Sequence, residues 1–149
     1  MSLHTSIQAE ASILIDRPRE QVCRFVAQDF FDNYPRWSPE VTRLEKITPG
    51  PLGVGTRGRQ VRNDAGYITR STFSVTAYEP PDRIAFASTG SPHYRVRYTF
   101  HPSGDRTRVA FSFQLRLTPL LKPFEKLLEK MVCAQSERVV SNIRALLDQ

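Results

Sequence analysis

The chain is poor in the residues that carry the most familiar chemistries. Its 149 residues include two cysteines, Cys23 and Cys133, and three histidines, His4, His93 and His101. Two distant thiols without a CxxC pair build neither a zinc site nor a disulfide framework, so free, buried or partly buried thiols are expected. There is no HExxH, no acidic metal-binding cluster and no cofactor motif, so no metal and no cofactor are expected. The run Pro49-Gly50-Pro51-Leu52-Gly53-Val54-Gly55 superficially resembles a phosphate loop. It lacks the Gly-Lys-Ser/Thr ending and reads as a turn. No apolar run approaches the ~20 residues of a membrane span. The opening MSLHTSIQAEA has no basic segment leading into an apolar one, so a cytoplasmic protein is expected.

Lysine is scarce as well: 4 Lys against 17 Arg, within a net charge of +6. The arginines run from Arg17 to Arg144 with acids among them, which describes solvated faces better than a nucleic-acid footprint. What is abundant is ordinary for a globular chain, with 40% hydrophobic and 24% charged residues. No linker or repeat divides it, so residues 1–149 are expected to form one domain. A chain of this size buries roughly 70% of its unfolded surface and needs no staple to fold.

The periodicities predict an α+β domain with one antiparallel sheet of about seven strands. Ile7, Ala9, Ala11, Ile13 and Ile15 alternate with mostly polar neighbours, predicting a strand over about Thr5–Ile15. Asp16-Arg17-Pro18 reads as a helix start with Asp16 capping, and the helix is expected to reach about Gln28. Residues 29–40 are irregular or hold a second short helix, because Pro35 and Pro39 limit regularity. Strands follow at about 41–48, 55–63, 67–78, 83–88, 94–101 and 107–117, separated by turn chemistry such as Asp64-Ala65-Gly66 and Pro80-Pro81-Asp82. Leu120, Phe124, Leu127, Leu128, Met131, Val139, Ile143 and Leu146 then recur at spacings of three and four, predicting a long amphipathic helix over about 120–147.

Alternation also tells which sheet face is inside. Tyr94, Val96, Tyr98 and Phe100 oppose Arg95, Arg97 and Thr99; Val109, Phe111, Phe113 and Leu115 oppose Arg108, Ser112 and Gln114. Burying the arginines costs far more than burying the aromatics, so the aromatic face is the inner one. That face also carries Tyr67, Thr69 and Ser71 beside Phe73, and Ser88 beside Phe86. A dry core favours aliphatic residues, since each buried hydroxyl needs a partner. Gly58 and Gln60 fall on the same face, the glycine leaving space and the glutamine wanting a partner. An apolar hollow with a few placed polar groups fits a small-molecule site, while a solid core with its hydroxyls bonded at the rim is the alternative.

The order of motifs resembles the START-like, or SRPBCC, superfamily, in its polyketide cyclase/dehydrase-type branch. The resemblance rests on the first strand followed by Asp16-Arg17-Pro18-Arg19-Glu20-Gln21-Val22. It continues in Tyr34-Pro35-Arg36-Trp37-Ser38-Pro39-Glu40-Val41, similar to a W-x-x-W-[ND/S]-P-x-V segment, and in Gly50–Arg57 and Tyr78–Phe86. Tyr34 stands where the segment has its first Trp, and Gly58 where an aromatic is frequent. The resemblance implies a helix-grip fold, a curved sheet wrapped around the C-terminal helix with a cavity for lipids, isoprenoids, polyketides or similar molecules between them. It also places Trp37 at a helical lid, either stacking on a flat ligand or pinning the helix. Met131 and Gln135 on the long helix are expected at the cavity floor or in ordinary helix-to-sheet packing, with Leu127 also expected to line the cavity. Replacing Gly58 by Phe is then expected to shrink the cavity without unfolding the domain.

Catalysis by a cyclase or dehydratase needs a group that moves a proton and a donor that holds an enolate. The histidines fall in the tail or on the outer face, and a tyrosine with an ordinary pKa is a poor base at neutral pH. Arg62, on the Gln60 face near a strand end, either enters the cavity to bind a ligand carboxylate or is solvated. Binding or transport of a small hydrophobic molecule is therefore the leading reading. An aromatase, cyclase or dehydratase using the same cavity is the first alternative. A module whose basic outer face meets RNA, a membrane surface or a protein is the second. No residue points to an oligomeric state.

Overall fold

The computed structural model describes residues 6–149; His4 and Thr5 lie outside the described residues. Seven strands form one antiparallel sheet: β1 (Ser6–Ile15), β2 (Val41–Lys46), β3 (Arg57–Asp64), β4 (Tyr67–Glu79), β5 (Arg83–Ser88), β6 (Tyr94–Ser103) and β7 (Arg106–Arg116). Their spatial order is β1-β7-β6-β5-β4-β3-β2. The strands from β2 to β7 are thus a meander, and β1 closes it by pairing with β7 along its whole length, from Ser6 opposite Arg116 to Ile15 opposite Thr107. Register shifts at Val41/Arg43 in β2 and Val75/Ala77 in β4 bend the strands, which lets the sheet curve around what it covers. The β3–β4 turn needs two left-handed residues, Ala65 at φ 55° and Gly66 at φ 96°, as two-residue hairpin turns do. Asn63 Oδ1 accepts the Gly66 amide at 2.7 Å and holds that turn.

Between β1 and β2 lie α1 (Arg19–Cys23), a π-helical turn (Arg24–Gln28) and α2 (Phe30–Trp37). The expected cap at Asp16 is not made. Pro18 occupies the capping position and its carbonyl accepts the amides of Gln21 and Val22. The wider turn follows because the Asp29 amide reaches back five residues to the Arg24 carbonyl. Asn33 Nδ2 donates to the Phe25 carbonyl at 2.9 Å, so a carbonyl of the wide turn has a partner. This short helical segment delivers Phe30, Tyr34 and Trp37 to one side of the sheet.

After a 3-10 turn (Lys122–Phe124), α3 (Glu125–Leu147) runs along the inner face against β1 and β7. Its buried residues are Ser136, Val139, Val140, Ile143 and Leu147, all in the C-terminal half. The apolar residues of the earlier turns, Leu120, Phe124, Leu127 and Met131, are exposed. The helical spacing is present throughout, but only half of the stripe is covered. Ile7, Ile15, Val22, Val26, Trp37, Val75, Ile84, Tyr98, Phe100 and Val109 are fully buried in the rest of the fold.

Candidate functional site

Where α3 separates from the sheet, a cavity of about 180 Å³ remains. Its walls come from α2 (Phe30, Tyr34), the inner face of β3 to β7 (Gln60, Arg62, Thr69, Ser71, Phe73, Phe86, Tyr94, Val96, Tyr98, Phe111, Phe113, Leu115) and α3 (Val132, Gln135, Ser136, Val139), with Ser38 and Pro92 at its edges. The volume slightly exceeds that of an engineered core cavity that holds benzene, so it suits a compact ring system of one or two rings.

The two ends of this cavity differ in chemistry. At the inner end the walls are aromatic: Phe30 lies 4.4 Å from Phe86 between centroids, and Tyr98 5.1 Å from Phe111. The Tyr98 hydroxyl is not free there, since Trp37 Nε1 donates to it at 3.3 Å. Burial pushes its pKa far up, and neighbouring Tyr34 pushes in the same direction. It is neutral at any physiological pH.

At the other end the hydroxyls and amides form a cluster. Tyr34 donates to Gln60 Oε1 at 3.0 Å, and Gln60 Nε2 donates to Ser71 Oγ at 3.3 Å and to the Tyr94 hydroxyl at 3.1 Å. Ser71 Oγ and the Tyr94 hydroxyl are 2.8 Å apart and share one hydrogen. Gln60 is 6% exposed, so this amide has no solvent to fall back on. The β-strand register builds the cluster directly, because Gln60 is paired with Ser71 across β3 and β4. Arg62, two residues along the same face, donates to both Asp64 carboxylate oxygens, at 3.3 and 3.0 Å, and lies 3.9 Å from Glu40. Burial opposes the Arg62 charge, but the Asp64 hydrogen bond and the Tyr34 oxygen outweigh it and raise its pKa. Burial likewise pushes Tyr34 up to about 12, with Arg62 pulling the other way. Neither Tyr34 nor Arg62 is a base poised near neutral pH. Among the described residues, no group of three or more His, Cys, Asp or Glu side chains is placed to hold a metal ion.

The model of the family described as polyketide cyclase / dehydrase and lipid transport matches residues 6–148. The chain belongs to this family. Solved structures with the same fold include TTHA0849 from Thermus thermophilus, 24% identical over 93% of this chain and 94% of that one, with a TM-score of 0.75. Zhui aromatase/cyclase from a Streptomyces species is 17% identical over 97% and 94% of the two chains, with a TM-score of 0.79. A START superfamily protein from Mycobacterium smegmatis is 17% identical over 98% of each, with a TM-score of 0.75. At these identities the likeness concerns the fold. No curated protein matches the sequence.

The inner face of the sheet lines this cavity, and six of the residues expected to line it do not. Tyr67 has the right parity but belongs to the β3–β4 hairpin tip, beyond the cavity, and is 72% exposed. Leu127 and Met131 are 58% and 55% exposed because the first half of α3 stands clear of the sheet. Ser88 ends β5, and its hydroxyl accepts the Tyr94 amide at 3.0 Å. It faces a separate polar groove with His93, Arg95 and Arg116. Trp37 is packed behind the wall, among Phe25, Phe30, Tyr34 and Tyr98, and its carbonyl accepts from Asn142 of α3. It pins α2 to the sheet and to α3. Gly58 leaves no space: a Cβ there would stand 2.5 Å from Phe73 Cζ and 2.8 Å from Phe31 Cε1, so two rings already occupy it.

Sequence reasoning passed over Tyr34, Val132, Ser136 and Val139. Tyr34 was visible as the departure from the Trp-containing segment. The helical trio was signalled by Ser136, a small polar residue between valines, whose hydroxyl donates to the Val132 carbonyl at 2.8 Å and leaves room beside the helix.

Proposed function

We propose that this protein binds a small, largely apolar molecule of one or two rings, seated between Ser71, Tyr94, Phe111 and Phe113 of the sheet and Val132, Gln135 and Val139 of α3. The observation that carries the reading is the cavity itself: aromatic walls with one localised polar cluster, on a fold whose family is described by polyketide cyclisation and lipid transport. A carrier or sensor role is favoured over catalysis because Tyr34 and Arg62, at the polar end, hold their protons and are already bonded. The ligand is a small hydrophobic molecule rather than a nucleic acid, and the two unpaired cysteines accord with a reducing, cytoplasmic setting.

The cyclase alternative draws on one specific feature. Tyr34 and Arg62 adjoin one another at the polar end, where a ligand ketone oxygen would gather developing negative charge.

Calorimetric titration with 2-acetonaphthone, a two-ring ketone, tests the binding reading. One-to-one saturable binding by the wild type, lost in Val132→Trp, is the expected result. No binding by the wild type, or equal binding by both, overturns it.

A further inference from the structure

The polar cluster is donor-rich, and this decides what kind of oxygen it accepts. Tyr34, Ser71 and Tyr94 bring one hydroxyl hydrogen each, and the Gln60 amide brings two. Four contacts join these groups: Tyr34 to Gln60, Gln60 to Ser71, Gln60 to Tyr94, and Ser71 to Tyr94. Each contact uses one hydrogen, so one is left over. The amide orientation follows from the same count. Turned over, Gln60 would present its oxygen to Ser71 and Tyr94, and the three mutual contacts would have only two hydrogens between them. In the observed orientation the surplus hydrogen resides on Ser71 Oγ or on the Tyr94 hydroxyl, whichever does not donate to the other. Both residues line the cavity.

The neighbouring charges narrow the choice. Among the described residues, Arg62 is the only cation on the cavity wall, and Asp64 and Glu40 surround it. One guanidinium between two carboxylates leaves the group net negative. An incoming carboxylate meets that field rather than a free arginine.

Resting on the binding reading above, we infer that the ligand presents a neutral hydrogen-bond acceptor, a ketone-, ester- or quinone-type carbonyl oxygen, to the surplus hydrogen shared by Ser71 and Tyr94, and that Gln60 sets this preference. A ligand hydroxyl can accept the same hydrogen, but it brings another that needs its own acceptor, so it gains less. A carboxylate gains least.

Three probes of one skeleton separate these cases: 2-acetonaphthone, 1-(2-naphthyl)ethanol and 2-naphthoate, titrated calorimetrically at neutral pH. The wild type is expected to bind the ketone about tenfold more tightly than the alcohol, one net hydrogen bond's worth, and the acid most weakly. Gln60→Glu supplies a carboxylate that accepts from Tyr34, Ser71 and Tyr94 together and consumes the surplus hydrogen. The ketone's advantage over the alcohol should then vanish or reverse. Equal binding of ketone and alcohol by the wild type, or tightest binding of the acid, overturns this inference and leaves the binding reading standing. Failure of all three probes to bind overturns both. The wild-type ranking decides the matter even where the variant does not fold.

Discussion

The two halves of α3 are the same helix doing opposite things. From Ser136 onward it is buried against β1 and β7, with Val139, Val140, Ile143 and Leu147 in the core. Before Ser136 it presents Leu127 and Met131 to solvent and stands off the sheet, and the cavity opens beside Val132 and Gln135. The sheet beneath repeats the contrast. At the buried end lie Ile15, Phe100 and Val109, all apolar and fully buried; at the open end lie Arg62, Thr69, Ser71 and Tyr94. One end of the grip is therefore fold and the other end is site. Helix periodicity reports that a stripe is apolar, but not whether anything covers it.

The largest effects belong to the most tightly packed positions. Trp37→Ala removes a ring packed by four aromatic neighbours and strands the Tyr98 hydroxyl, so a loss of about 3–5 kcal/mol in urea unfolding is expected. Gly58→Phe should also unfold or strongly destabilise the domain, because Phe73 and Phe31 already fill its space. A soluble, stable Gly58→Phe variant with a smaller cavity would show that these rings move freely, and the distinction between the two ends would weaken.

At the open end the effect should fall on binding instead. Val132→Trp is expected to reduce affinity for 2-acetonaphthone at least tenfold while shifting the unfolding midpoint little, since Val132 is only partly buried. Equal loss of stability and binding would mean that the site and the core are one unit.

Alkaline titration separates the ends by pH. Burial raises Cys23 to about 11 and Tyr34 to about 12, above their ordinary values of 9.0 and 10.0. Between the ordinary and the raised value, the unfolded chain has released a proton that the folded chain retains. Stability is then full below about pH 9 and declines from there to about pH 12. Cys23→Ala should move the start of that decline from about 9 towards 10, as followed by circular dichroism. An unchanged onset would mean that Cys23 does not contribute to the alkaline transition.

The smallest effect is expected at Leu127 and Met131. Because both side chains are in solvent, replacement of either by Ser should leave stability within about 0.5 kcal/mol of wild type in urea unfolding. A larger loss would mean that the first half of α3 packs onto something in solution.

Strand parity was legible because the aromatic and arginine positions of β6 and β7 alternate without a break, and inner residues such as Gln60, Ser71, Tyr94 and Tyr98 follow from it. Parity does not say how far along a strand the covering element extends, so Tyr67 and Ser88 have the inward parity but lie outside the cavity. Nor does a glycine's missing side chain say which neighbour has moved in, as Phe73 and Phe31 have at Gly58. The pairing of Arg62 with Asp64 was close in sequence, yet its meaning depends on Glu40, which the start of β2 brings across from a distant segment. These misses concern tertiary extent, which local pattern does not encode.

The most direct test of the central claim is a two-dimensional NMR titration of the labelled protein with 2-acetonaphthone. Saturating amide shifts at Ser71, Tyr94, Val132 and Gln135, with the closed-end residues Ile15 and Ile143 unmoved, are the predicted result. Shifts confined to the outer groove around Ser88, His93 and Arg95, or no shifts at all, would contradict it.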